Sequence, residues 1–272
     1  MAGTKSPPWS PPPLVLSPHA AIQASATGAI DVSRTGSGYV TVAVKSGVKT
    51  KLQVAMGDAK YNVDVPSDGT PTTVPLTLGT GEYLLRVMRN TSGNRYVETY
   101  RRQVYARVGT LSPFVRPNVV VPYGRNSRCV STARDLTASC KTQRDAVKAV
   151  CAHVIRYVAY DTAKANALRG LSGYRSDPDE TLARGLGICL DYAVLGAAML
   201  RSIGVPTRVV TGSVITTKEL GHAWVDVWCE ESWKCNWFEV KAAEWSRIDL
   251  TMAAGTRTWS SDGYLYDAKS VW

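Results

Sequence analysis

Gly185-Leu186-Gly187-Ile188-Cys189-Leu190-Asp191-Tyr192-Ala193 is the stretch from which the fold can be read. Its two early glycines let the backbone turn sharply. The apolar residues that follow, Tyr192, Leu195, Met199 and Leu200, recur at helical spacing. Ile203-Gly204 and then Val205-Pro206 close the pattern with a helix stop. The spacing predicts a helix that opens at Cys189. A thiol in that first turn faces the positive end of the helix dipole, which favours thiolate, the attacking form. Taken alone, a cysteine there reads more simply as a small buried hydrophobe.

Downstream, Thr207–Ile215 and Gly221–Trp228 alternate as strands. Trp233–Val240 reads as a third strand and Trp245–Leu250 as a fourth. Upstream, Val147, Val150, Cys151, Val154, Ile155 and Val158 mark another helix, with Thr142 as its cap and Asp145 three residues on. Helices followed by an antiparallel sheet make an α+β domain, and residues 111–272 are assigned to it. Between residues 29 and 110 the period is two. Runs at Tyr39–Val44, Lys51–Met56, Lys60–Val65, Thr72–Leu78, Tyr83–Met88 and Tyr96–Val108 are separated by glycine-rich turns. That pattern predicts a small β-sandwich. Six of the fourteen prolines fall by Pro18, and residues 1–28 read as a flexible Pro-rich segment without an apolar run of signal-peptide length.

Composition excludes some classes. The 272 residues are 44% hydrophobic and 20% charged, which rules out a wholly disordered chain. No apolar run approaches the ~18 residues of a membrane-spanning helix. The net charge is +10, and nearly all of it arises between Tyr83 and Arg134, where ten arginines face a single acid, Glu98. Such a surface could meet an anionic cell-wall polymer. No nucleic-acid motif accompanies it, and a solvated basic face explains it more simply than any specific partner.

Three histidines are available to serve as a base. His19 lies in the Pro-rich segment and His153 on the polar side of a helix. His222 remains, in Gly221-His222-Ala223-Trp224-Val225-Asp226-Val227. On a strand it shares a face with Trp224 and Asp226, while Ala223, Val225 and Val227 face a core. Trp224 then either walls a cleft and meets substrate or packs as an ordinary aromatic. An imidazole base is held in one tautomer by a carboxylate. Asp226 sits about 13 Å along the same strand, too far to bond that ring. Asp249 and the runner-up Glu239 are left. Asp191, two residues beyond the cysteine, is suited to bond amides at the helix start. The remaining cysteines are Cys129, Cys140, Cys151, Cys229 and Cys235. Cys151 lies on an apolar stripe, and Cys229 with Cys235 could flank a turn as a hairpin disulfide. Cys129 and Cys140 would stand about 16 Å apart on one continuous helix and could pair only across a break. No metal-ligand spacing and no cofactor motif is present.

Gly185–Ala193, Leu200–Val210, Gly221–Val225 and Trp245–Thr251, in the order cysteine, histidine, aspartate, resemble the transglutaminase-like superfamily, most closely its bacterial extracellular members. Spacings of 33 and 27 residues between the three are ordinary for such domains. The resemblance covers roughly residues 141–254. One departure is Leu250, where the family usually has proline after the aspartate. The resemblance implies a papain-like α+β fold and Cys189, His222 and Asp249 as a catalytic triad. It also implies acyl transfer from a peptide or carboxamide through a thioester, by hydrolysis or crosslinking, at an extracellular or cell-surface location. The rival reading is a noncatalytic wall-binding protein that uses the basic β-module.

Overall fold

The computed structural model describes residues 9–19, 21–171, 173–215, 219–256 and 264–272. The chain divides into two compact units. One is Leu16–Val120 with Trp272; the other is Val121–Val271 with the N-terminal stretch through Val15.

The first unit is a β-sandwich. Strands β1 (Ala29–Asp31), β2 (Tyr39–Ala43) and β5 (Thr72–Pro75) form one antiparallel sheet in the order β1-β2-β5. Strands β3 (Thr50–Met56), β4 (Ala59–Val65), β6 (Gly81–Ser92) and β7 (Arg95–Ala106) form the other, ordered β4-β3-β6-β7. The alternation in the sequence explains the pairing. Leu52, Val54, Tyr83, Leu85 and Val87 point inward and are fully buried, together with Val40, Val74 and Leu76. β7 is an edge strand, and Arg95, Arg101 and Arg102 on it are exposed. The stretch read from sequence as a flexible leader is tied down over its described part. Within this unit the Ser17 hydroxyl donates to the Pro117 carbonyl (2.7 Å), Tyr39 donates to the Pro18 carbonyl (2.9 Å), and His19 Nε2 meets Thr73 Oγ1 (3.0 Å). In the other unit the Trp9 N–H donates to the Lys141 carbonyl. Prolines restrict the unbound chain, so few hydrogen bonds suffice to hold it.

The second unit is α+β. Its helices are α1 (Arg128–Thr137), α2 (Gln143–Tyr157), α3 (Thr162–Ala167), α4 (Pro178–Arg184), α5 (Cys189–Ser202) and α6 (Leu250–Thr256). A short parallel pair joins β8 (Ala159–Tyr160) to β9 (Leu186–Gly187). The main sheet is antiparallel, ordered β14-β11-β10-β15, from β10 (Thr207–Ile215), β11 (Glu219–Trp228), β14 (Trp245–Ile248) and β15 (Leu265–Val271). Helix α5 packs on this sheet and is buried on all sides from Asp191 to Ser202, beyond the single stripe its sequence suggests. Arg201 is buried too, and its Nε donates to the Thr207 carbonyl at 2.8 Å. Thr142 caps α2 by accepting from the Asp145 N–H (3.1 Å), as its sequence predicts.

Trp233–Val240 does not run as one strand. It folds back on itself as the hairpin β12 (Trp233–Lys234) and β13 (Glu239–Val240), with Trp233 opposite Val240. Trp233 and Phe238, ring centroids 5.6 Å apart, close its buried side. Cys229 pairs with Ala242, whereas the Cys235 N–H donates to the Phe238 carbonyl, and both thiols are unbridged. The other four cysteines are free as well. Helix α1 ends at Thr137, so Cys140 lies beyond it. The fourth expected strand stops at Ile248, and Asp249 stands before α6 as its cap.

Candidate active site

Cys189 is the first residue of α5. Gly185 ends α4 in the left-handed region, with φ 62°, and its N–H returns to the Thr181 carbonyl. Gly187 must lack a side chain because a Cβ there would stand 2.7 Å from the Asp191 Cβ. That close approach lets Asp191 reach back over the helix start. Its carboxylate accepts from the Ile188 N–H (2.9 Å), the Tyr174 hydroxyl (2.7 Å) and the Lys164 ammonium (2.7 Å). Burial works against ionising Asp191, yet these partners outweigh it and hold its pKa below the usual carboxylate range. Burial likewise opposes the Lys164 charge, and the same contacts raise its pKa. The pair is therefore charged. It fixes the turn from which Cys189, half-buried, presents its sulfur.

His222 sits on β11 opposite Gly212 of β10. Its Nε2 lies 2.6 Å from Asp249 Oδ2, with the two side chains 8% and 0% exposed. The Cys189 side chain lies close enough to the ring to favour its protonated form. With Nε2 engaged by Asp249, Nδ1 is the nitrogen left for the sulfur. Burial disfavours the imidazolium, but the hydrogen bonds and charges of Asp249 and Cys189 prevail and lift the His222 pKa to about 9.

Asp249 is held from three directions. Oδ1 accepts from the Met252 N–H (3.0 Å), which caps α6, while Oδ2 receives Tyr266 Oη (2.8 Å) beside the imidazole. Leu250, in the place where the family has proline, is the first residue of α6 and is buried against Gly196 of α5. A residue at that position needs only helical φ, which leucine adopts as readily as proline does.

The structure thus brings Cys189, His222 and Asp249 together. Glu239 is elsewhere, exposed on the β12–β13 hairpin and paired with Lys234. Asp226 lies between its cross-strand neighbours Arg208 and Arg247. Trp224, expected on a cleft wall, is 4% exposed. It stacks behind His222 (6.2 Å) and edge-on to Tyr266 (5.0 Å), so it supports the ring from the buried side. Burial lowers the His153 pKa; its ring stacks on Tyr157 at 5.1 Å. Tyr266 escaped the sequence reading because it belongs to no motif. The alternation Leu265, Asp267, Lys269 against Tyr266, Ala268, Ser270 was its only signal. Among the described residues no group of three or more His, Cys, Asp or Glu is arranged to hold a metal ion, and no helix is long and apolar enough to cross a membrane.

Comparison with known proteins adds three kinds of likeness. An uncharacterized protein of Mycobacterium leprae (strain TN) is 29% identical over 89 residues, which is 29% of this chain and 32% of the relative. The chain therefore matches about a third of that relative's length. Among solved structures, a candidate cysteine protease from Cytophaga hutchinsonii superposes with TM-score 0.42 at 14% identity, over 85% of this chain and 78% of that one. The periplasmic domain of TgpA from Pseudomonas aeruginosa does so with TM-score 0.38 at 14% identity, over 88% and 96%. The family model of the transglutaminase-like superfamily matches residues 130–249, a span that runs from α1 to the carboxylate beside His222. Residues 130–249 are accordingly similar to the transglutaminase-like superfamily.

Proposed function

We propose that Cys189, His222 and Asp249 are a catalytic triad for acyl transfer through a thioester, acting on peptide or carboxamide bonds. One observation carries the reading: a single buried imidazole bonds Asp249 at 2.6 Å and lies near enough to the Cys189 side chain for that group to favour its protonation. The Cys189 thiolate attacks the carbonyl carbon, and the new oxyanion is met by a helix-start N–H, that of Cys189 itself. The imidazolium gives its Nδ1 proton to the leaving nitrogen as the C–N bond breaks and the thioester forms. The neutral ring then takes a proton from the incoming water or amine, whose attack on the thioester expels the thiolate. Asp249 keeps the tautomer throughout, and Trp224 backs the ring. Water is the favoured acceptor, because nothing in the sequence marks an amine-acceptor site. The resemblance to bacterial extracellular proteins supports a place of action outside the cytoplasm.

The test is alkylation. Iodoacetamide near neutral pH is expected to label Cys189 selectively, as read by peptide mass spectrometry, and His222→Ala is expected to abolish that selectivity. Equal, slow labelling of all accessible cysteines in both proteins favours the noncatalytic wall-binding protein instead. A peptide pool incubated with and without an added primary amine then separates cleavage and deamidation from crosslinking.

A further inference from the structure

A cleft of about 820 Å³ opens between the end of α2, strand β8, helix α6 and Trp237. Its walls are largely apolar, from Ile155, Val158, Ala254 and the rings of Tyr160 and Trp237. Tyr160 is 49% exposed, and Arg156 stacks over the Trp237 ring at 5.6 Å. Three links join this cleft to the triad. Tyr160 is paired in register with Gly187, two residues before Cys189. Tyr192 stands one helical turn past Cys189 and lines the cleft with its hydroxyl bonded to the Val158 carbonyl. Thr251, two residues past Asp249, also lines it, and the Thr251 hydroxyl is buried without a hydrogen-bond partner. An orphaned hydroxyl in an aromatic cleft is a place for a ligand's polar backbone beside its apolar side chain.

We propose that this cleft receives a bulky apolar side chain of the acyl-donor peptide, next to the carbonyl that Cys189 attacks, with Thr251 bonding the peptide backbone. The proposal rests on the thioester reading and adds a substrate class to it: peptides carrying leucine or an aromatic residue beside the reacting bond. Smaller side chains leave the walls wet and gain less from burial.

The experiment uses peptidyl electrophiles that differ only in the residue adjoining the reactive carbon, alanine, leucine or phenylalanine. The rate of Cys189 modification is read by intact mass. Leucine and phenylalanine probes are expected to react at least about tenfold faster than the alanine probe. Gly255 lines the cleft at a position where an added Cβ meets no heavy atom within 4 Å. Gly255→Trp is therefore expected to fill the cleft without straining the fold and to reduce the leucine-to-alanine ratio to about threefold or less. Ala254→Leu should act in the same direction. The ratio is internal to each protein, so a general loss of reactivity does not imitate the effect. Equal rates for the three probes, or a ratio unchanged in both variants, overturns the cleft assignment while iodoacetamide still labels Cys189. Failure of iodoacetamide to select Cys189 overturns the thioester reading and this proposal together.

Discussion

At the residue scale, the His222 proton ties chemistry to pH. Its folded pKa of about 9 lies above the ordinary histidine value of about 6.5. The sign follows: the imidazolium stabilises the fold fully below about 6.5, and that contribution is lost as pH rises through about 9. Leaving-group protonation needs the same proton, so amide turnover should fall with rising pH along a limb centred near 9. Asp249→Asn removes the charge that supports the imidazolium. It should move that limb to lower pH and slow turnover roughly 10²- to 10⁴-fold, both read from initial rates between pH 6 and 10. A limb that stays near 9 in Asp249→Asn would count against the pairing. Cys189 and His222 could be picked from sequence because each stands in a stretch whose neighbours demand it, glycines before the thiol and a core-facing alternation around the imidazole. Asp249 and Glu239 could not be separated that way. Their difference lies in whether Trp233–Val240 runs straight or turns back, and short alternating segments read the same either way.

At the element scale, helix α5 depends on a clamp built far from the sulfur in sequence. Lys164, at the third position of α3, and Tyr174, in the segment before α4, both close on Asp191. Removing the carboxylate leaves an ammonium whose side chain is only 18% exposed without its partner. Asp191→Ala should therefore destabilise the protein by about 3 kcal/mol, seen as a lower urea midpoint, and should slow Cys189 alkylation because the helix start loosens. Since the folded pKa of Asp191 is depressed, its contribution is present above the unfolded value of about 3.9 and is lost as pH falls below it. The same neighbourhood shows which elements a sequence reveals. Helices α2 and α5 and the sandwich strands have enough turns or alternations for periodicity to emerge. Helix α6 is only seven residues long, rich in threonine, alanine and glycine, and is held by Asp249 rather than by propensity. Helix α4 did carry a readable start, Asp177 before Pro178, and Asp177 caps it by accepting from the Asp179 N–H at 2.8 Å. Asp179 in turn accepts from the Arg128 and Cys129 N–H groups and so caps α1, a partnership across 50 residues that no local pattern announces.

At the scale of the whole molecule, the positive charge is concentrated in the sandwich. Arg89, Arg95, Arg101, Arg102 and Arg107 are all exposed, and Glu98 pairs with Arg86 and Arg101. Charge on the edge strand β7 discourages pairing with another sheet, and it also offers a surface to polyanions. Retention on an immobilised anionic wall polymer is expected at low ionic strength and should disappear by about 0.5 M salt, where screening is nearly complete. Arg102→Glu with Arg107→Glu should weaken it further, and retention indifferent to salt would rule out electrostatic capture. The site itself has another whole-chain property. Tyr266 reaches Asp249 from β15, the last strand of this sheet in sequence. A ribosome must therefore translate through codon 266 before the carboxylate gains its last donor. Nascent chains short of that length carry the thiol, the imidazole and the carboxylate but lack the Tyr266 donor.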